Sequence, residues 1–565
     1  MSFSFRAAAL SAVLLVVIGT GFTGRPRGPL GPLSEHAMVV AAHPVATAIG
    51  VQVLREGGNA IDAAVAVHFA LAVVSPWAGN IGGGGFMLVR SGNGHVMALD
   101  FREKAPQAAT HNMYLDSTGM VVPKLSTRGH LAAGVPGAVA GLFAMHDSLG
   151  RMPMSLLIQP AINLALKGVR LTAHEARELD HARADMERFS TMPSAYTSRS
   201  RWKLGDTLVQ PELAATLMRI RDNGPAGFYA GETADLIVAE MRRGKGLIGH
   251  EDLEAYQPVW RTPVHSTFRG LDVYGMPPPS SGGIALAQLL QAMEQAPPGV
   301  FTGTEAERIH YMVEIERRVF ADRATHLGDP DFLNISTAAL VDPYYVQRKM
   351  ADIDRQRATS SSQLLIQPPC AEHDQTTHFS IVDGLGNAVS ITTTLNGNFG
   401  SCLVVGGAGF VLNNEMDDFR LKPSVPNAVG VLSGSHNTIA PNKRMLSSMS
   451  PTILAKDGDL FMVLGTPGGS TIISTVFQTI LNVVDHGMTM QEAVAAPRFH
   501  HQWLPDTVHM EPGCFGKADS VALVLKGHTL VKRNPYGRVD AIRKLPDGTL
   551  EGGADPRGED AVGGF

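Results

Sequence analysis

Gln375-Thr376-Thr377-His378-Phe379-Ser380 is the stretch on which the reading of this chain turns. Upstream of it, residues 359–375 are polar, with Ser360-Ser-Ser362 and Pro368–Pro369. Such a composition reads as a flexible, exposed segment and as the strongest boundary in the chain. Downstream, Thr377 to Asp383 and Ala388 to Leu395 read as two β runs joined by the turn Gly384-Leu-Gly-Asn387. A hydroxyl residue therefore stands where a flexible segment meets a strand. A cut before Thr376 would give that residue a free α-amine, whose pKa of about 7.7–8.0 lies near working pH. The amine can accept the proton of its own residue's hydroxyl, making Thr376 a nucleophile without a separate histidine. The plainer reading is a β-branched residue opening a strand, which is common. This tract alone leaves both open.

The β pattern continues after it. Thr452 to Ala455 and Leu460 to Leu464 are joined by Lys456-Asp-Gly-Asp459, and a predicted helix from about Thr471 to His486 follows. Before the polar segment the chain is mainly helical. Pro44 to Glu56 starts on a proline and stops at Gly57–Gly58. Asn59 then caps Ala60 to Val74, which is apolar all round except for Asp62 and His68. That helix is too short to span a bilayer and is predicted to be buried. Phe86 to Arg90 and His95 to Arg102 read as hairpin strands around Ser91-Gly-Asn-Gly94. Leu156 to Gly244 is mostly helical, as is Ile284 to Met293 after the loop Pro277 to Gly283. Glu305 to Leu327 reads as a long amphipathic helix rich in charge. No repeat of fixed period occurs. Hairpins interspersed with helices predict an α+β fold, with helices on antiparallel sheets rather than a doubly wound parallel sheet.

Composition narrows the function classes. The chain has 565 residues, a formal net charge of −5, 44% hydrophobic residues and 18% charged ones. This excludes a disordered chain and a basic nucleic-acid binder. A multi-span membrane protein is excluded too, because only one stretch approaches a span. That stretch, Ala7 to Gly24, is uncharged and follows Arg6. It reads as a secretory signal or, since no good A-x-A site follows, as an uncleaved single anchor; residues 1–24 form this unit. Both readings imply export, to the periplasm or beyond. Cys370, Cys402 and Cys514 are too few for a disulfide scaffold, and an odd set leaves at least one thiol free. A Cys402–Cys514 bridge is open to the sequence but has no support in it.

Other candidate groups lie along the chain. Thr394-Leu-Asn396 ends the strand paired with that of Thr376 and could return beside it. The tract Asn413-Asn-Glu-Met-Asp-Asp-Phe419 is either a solvated turn or a carboxylate site for an ammonium. Ser447–Ser448 and Pro467-Gly-Gly-Ser470 are either turns or a source of hydroxyls and N–H groups for an oxyanion. Arg102 is either a surface charge or a bidentate grip on a carboxylate. Gly82 to Gly85 lacks a βαβ setting and a P-loop lysine. His500–His501 has no companion at metal-ligand spacing, and no G-x-S-x-G elbow occurs.

Together these pieces resemble the γ-glutamyltranspeptidases of the N-terminal nucleophile hydrolase superfamily. The resemblance runs from about Met38 to the end. It is carried by Gly57-Gly-Asn-Ala-Ile-Asp-Ala-Ala64, Gly79-Asn-Ile-Gly-Gly-Gly-Gly-Phe86, Asp100-Phe-Arg-Glu103, Gly134-Val-Pro-Gly137, Ser280-Ser-Gly-Gly283, Thr376-Thr-His-Phe-Ser380, Asn413 to Phe419, Leu446-Ser-Ser-Met-Ser-Pro451, Pro467-Gly-Gly-Ser470 and Ala496-Pro-Arg-Phe-His-His501. It implies an αββα sandwich of two stacked antiparallel sheets flanked by helices. It also implies a self-cut between Gln375 and Thr376, leaving an intertwined large chain (25–375) and small chain (376–565). Thr376 is then the nucleophile and Thr394 its activating partner, with the N–H groups of Gly468 and Gly469 as the oxyanion hole. Arg102, Ser447 and Ser448 hold the substrate α-carboxylate; Asn396, Glu415 and Asp418 hold its α-ammonium. Glutathione is the expected donor, and water, amino acids or dipeptides the acceptors. No metal or organic cofactor is required, and no nucleic acid is implied.

One departure bears on specificity. The loop Pro423 to Asn437 has the length of the family's lid, but Val429 stands where a Tyr gate is expected, which predicts hydrolysis favoured over transfer. Cys370 falls outside the family pattern and is expected as an exposed thiol. Three rival readings are a glutaryl or cephalosporin acylase, a poly-γ-glutamate depolymerase, and an exported binding protein that never matures. Asp418 would be idle in the first, the lid-length loop argues against the second, and the intact Thr376, Thr394 and Gly468–Gly469 set argues against the third.

Overall fold

Two seven-stranded antiparallel sheets lie face to face in the computed structural model, which describes residues 30–364, 376–422 and 435–565. In spatial order the first holds Ala561–Gly564, Met38–Ala41, Thr376–Val382, Ala388–Thr394, Gly84–Arg90, Val96–Phe101 and Val259–Arg261. The second holds Leu33–Ser34, Leu550–Ala554, Asp540–Lys544, Asp459–Gly465, Thr452–Lys456, Leu271–Gly275 and Val264–Phe268. Strands from both sides of the polar segment therefore enter each sheet.

The strand period of two explains the layering. Val39, Ala41, Met87, Val89, Leu99, Phe379 and Ile381 pack outward, in one core with the helix Ala60–Val74. Met38, Val40, Phe86, Leu88 and Ala98 point between the sheets, in the core that holds Ile453, Met462 and Leu464. On the far side that core is closed by the helices Gly282–Glu294, Glu305–His326 and Thr471–Val484. The architecture is the αββα sandwich.

Ala60–Val74 is buried along its whole length, as its all-round apolarity predicts, and Asn59 closes a capping box with Asp62. Glu305–His326 corrects the sequence reading. The charge is there, but no face is left to solvent along most of its length: it is buried without interruption from Ile309 to Ala324. Several of its buried charges are paired: Glu314 takes both Arg317 and Arg318, and Arg317 also reaches Asp506. The strands between Val259 and Gly275, and those after Asp540, carried no expectation. Sequences such as Leu550-Glu-Gly-Gly-Ala554 have weak β propensity and are held by their neighbours. No helix among the described residues is long and apolar enough to cross a membrane.

Candidate active site

The hairpin Thr376–Val382/Ala388–Thr394 sets the centre of the site. Asp383 ties its turn, accepting from the N–H groups of Leu385 and Asn387. The register that follows places Thr376 directly opposite Thr394. Thr376 Oγ1 donates to Thr394 Oγ1 at 3.4 Å, and Thr394 Oγ1 also accepts from the Asn396 N–H at 2.6 Å. His378 lies on the same strand face as Thr376. It sits between the hydroxyls of Thr392 (2.9 Å) and Ser380 (3.1 Å), and Ser380 Oγ donates to the Asp540 carbonyl at 2.9 Å. These bonds pin one sheet to the other beneath the threonine pair. Burial pulls His378 down to about 3, so it is neutral and structural at working pH.

The glycine run Gly82 to Gly85 acts through close packing. A Cβ on Gly83 would lie 2.0 Å from the Thr394 carbonyl oxygen. That carbonyl is also held by Asn80 Nδ2 at 3.0 Å.

Arg102 ends the strand Val96–Phe101 and is 1% exposed. Its guanidinium lies 2.6 Å from Glu415 and 2.5 Å from Asp418, with Glu103 at 3.5 Å. Burial alone would lower its pKa, but the surrounding carboxylates of Glu415, Glu103 and Asp418 turn the shift upward, so it stays charged. Burial pushes Glu415 well up and Glu103 up to about 7, against the pull of Arg102. The tract Asn413–Phe419 is thus no solvated turn: Glu415, Met416 and Asp417 are buried. Asn396, in the left-handed region at φ 70°, donates to the Asn414 carbonyl at 3.0 Å and fastens this tract to the threonine strand.

Ser447–Ser448 is held from the first half of the chain. Ser281 N and Oγ both donate to the Ser447 carbonyl, at 2.8 and 2.7 Å, and Ser280 Oγ donates to the Met449 carbonyl at 2.6 Å. Gly468 (φ 138°) and Gly469 (φ 56°) lie where a side chain would strain the backbone. They lead into the N-terminus of the helix Thr471–Val484, whose dipole favours negative charge. Among the described residues neither glycine N–H has a protein acceptor.

One cavity is lined by Thr376, Thr394, Asn396, Arg102, Glu415, Asp418, Ser447, Ser448 and Gly469; Gly468 stands one residue behind the lining. The structure therefore gathers residues that the sequence spreads over more than 360 positions. Gln375, Cys370, Val429 and residues 1–24 lie outside the described residues. Cys402 and Cys514 are both free thiols.

Sequence reasoning missed Arg323, Ser281 and Asn437. Arg323 lines the cavity from the helix Glu305–His326. Asn437 joins Asp418 to the serine pair, donating to the Asp418 carbonyl at 2.6 Å and accepting from the Leu446 N–H at 3.0 Å. Nothing local in the Ser280-Ser-Gly-Gly283 tract says that it buttresses Ser447.

Residues 46–565 match the gamma-glutamyltranspeptidase family. The chain is 43% identical to a glutathione hydrolase proenzyme of Escherichia coli, over 97% of each chain. It is 45% identical to one of Pseudomonas aeruginosa, over 98% of each. Among solved structures it resembles a cephalosporin acylase from Bacillus halodurans, with TM-score 0.82 and 26% identity, covering 96% of this chain and 98% of that one. The chain belongs to the γ-glutamyltranspeptidase family.

Proposed function

We propose that the protein cuts itself before Thr376 and then transfers γ-glutamyl groups from glutathione and related amides to water or to an amine. The observation that carries this is the Thr376–Thr394 hydroxyl pair opening into the same cavity as Arg102, Asp418 and Gly469. In the first step Thr376 Oγ attacks the Gln375 carbonyl carbon, the peptide nitrogen leaves as the new α-amine, and water hydrolyses the ester. The products are a large chain ending at Gln375 and a small one beginning at Thr376. In each later turnover the α-amine takes the proton of Thr376 Oγ as this oxygen attacks the γ-carbonyl carbon. The proton passes to the departing amine, and a γ-glutamyl ester remains on Thr376. The N–H groups of Gly468 and Gly469 stabilise the tetrahedral oxyanion. Water or an acceptor amine then releases the group.

Thr394 orients the attacking hydroxyl, Arg102 with Ser447 and Ser448 receives the α-carboxylate, and Asn396, Glu415 and Asp418 receive the α-ammonium. A glutaryl side chain has no ammonium, so buried carboxylates beside Arg102 favour γ-glutamyl over acylase substrates. The leader supports export. Mass spectrometry after incubation with L-γ-glutamyl-p-nitroanilide tests the scheme. We expect two chains, with a γ-glutamyl group on the fragment that begins at Thr376. A single uncut chain that turns over, or a label elsewhere, would refute it.

A further inference from the structure

A second guanidinium faces the glutamyl cavity. Arg323 is 5% exposed and lines the cavity together with Arg102 and Thr376. The two arginines differ in what holds them. Arg102 is surrounded by three carboxylates, Glu103, Glu415 and Asp418. Arg323 forms no ion pair among the described residues. Its Nε donates to Ser281 Oγ at 2.9 Å, and its buried Nη1 has no hydrogen-bond partner. Burial pulls its pKa down to about 10, opposed by the charge of Asp418 and reinforced by that of Arg102, so it remains charged at working pH.

A buried cation with an unused donor is costly unless an anion meets it. The described carboxylates near the cavity are already committed to Arg102. The anion must then come with the ligand, and a γ-glutamyl group carries one at its α-carbon. The charge pattern fits that group end to end. Asp418 supplies negative charge and Glu415 acceptor oxygens for the ammonium, and Arg323 supplies positive charge for the carboxylate beside an Arg102 that already meets Glu415 and Asp418. Arg323 also reaches the serine pair through Ser281, whose Oγ donates to the Ser447 carbonyl. The same side chain thus stands behind Ser447, one of the groups assigned to the α-carboxylate.

We propose that Arg323 is a substrate-binding residue that takes the α-carboxylate of the γ-glutamyl group together with Arg102, Ser447 and Ser448; this rests on the γ-glutamyl reading above. The test compares L-γ-glutamyl-p-nitroanilide with 4-aminobutyryl-p-nitroanilide, which keeps the amine and scissile amide but lacks the carboxylate. The second compound is followed as a substrate or as a competitive inhibitor. In Arg323→Gln, KM for the glutamyl compound should rise about tenfold to hundredfold, the range of one hydrogen bond to a charged group. The constant for the 4-aminobutyryl compound should stay within about threefold. Arg323→Lys keeps the charge but not the fork, and should show a smaller rise confined to the glutamyl compound. If Arg323→Gln does not mature, Arg323→Lys carries the comparison. Equal losses on both compounds, or no loss on either, would overturn the proposal while leaving the γ-glutamyl reading intact. A wild-type protein inert toward the glutamyl compound would overturn the reading itself, and the proposal with it.

Discussion

Gly83→Ala tests whether the threonine pair depends on backbone packing one strand away. The added Cβ would lie 2.0 Å from the Thr394 carbonyl oxygen and 2.6 Å from Asn80 Oδ1, whereas real Cβ contacts essentially never fall under 3.0 Å. At least 1.0 Å of displacement is therefore required (3.0 minus 2.0). Little else can yield. The Gly83 carbonyl is bound by the N–H groups of Gly137 and Ala138 at 2.8 and 2.9 Å, and the Asn80 side chain is bound to both Ala78 and Thr394. The strain falls on the end of the strand Ala388–Thr394, and hence on the hydroxyl opposite Thr376. Overpacking of this kind costs about 1–3 kcal/mol, and a misplacement of about 1 Å at a reacting group costs about a hundredfold in rate. Self-cutting, followed on a denaturing gel after expression, should slow by about that factor or stop. Nitroanilide turnover should fall in proportion to the mature fraction or further. Gly384→Ala, in the turn of the same hairpin, is the control: its Cβ would meet only the His36 carbonyl at an ordinary 3.6 Å. A Gly83→Ala protein that matures and turns over within about twofold of wild type would refute the packing argument.

Other outcomes follow from the same geometry. Asp418→Asn should raise KM for L-γ-glutamyl-p-nitroanilide much more than for glutaryl-p-nitroanilide, which has no ammonium; equal changes would deny Asp418 that contact. His378, held at about 3 against 6.5 in the unfolded chain, takes up a proton on unfolding between those values. Its contribution is therefore lost as pH falls from 6.5 toward 3, by up to about 1.4 kcal/mol per unit. In a Thr376→Ala background, expected to stay one chain, the stability deficit of His378→Gln in urea should shrink between pH 7.5 and pH 5, and a constant deficit would contradict the assignment. Burial pushes the Cys402 thiol up to about 11 and the Cys514 thiol up to about 12. A Cys370→Ser protein should accordingly show two thiols after denaturation and almost none reacting quickly at pH 8, and a native disulfide would show none at all.

Much of the fold was legible because its elements announce themselves locally. Asn59 with Asp62 marks a helix start, and the apolarity of Ala60–Val74 marks burial on every side. The two hairpins around Gly384 and Asp457 carry period-two runs with turn residues between them. The strands after Asp540 were not legible, since Gly552–Gly553 and the paired charges Arg543 and Glu551 obscure the pattern. Their stability comes from neighbours on both sides of the sheet, which is a non-local fact.

The site was legible where chemistry depends on residue type and hidden where it depends on burial. Thr376, Asp418 and the glycine pair stand in tracts whose composition is unusual for their surroundings. Arg323 sits in a helix where charge is ordinary, and a charged helix is read as a solvated one. The helix nonetheless carries a signal. Glu314, Arg318 and Asp322 follow one another at intervals of four and share a face, while Glu316 and Arg323, seven apart, share another. Charges on more than one face leave no wholly apolar stripe to turn toward a core, so a helix of this kind that is packed at all must bury some of them. Buried charges need partners. Glu314 finds them in Arg317 and Arg318, and Asp322 in Tyr345 at 2.8 Å. Arg323 keeps a buried Nη1 that no described group accepts, and unlike the others it lines the cavity; that conjunction, visible only once the helix is placed, is what points to a ligand.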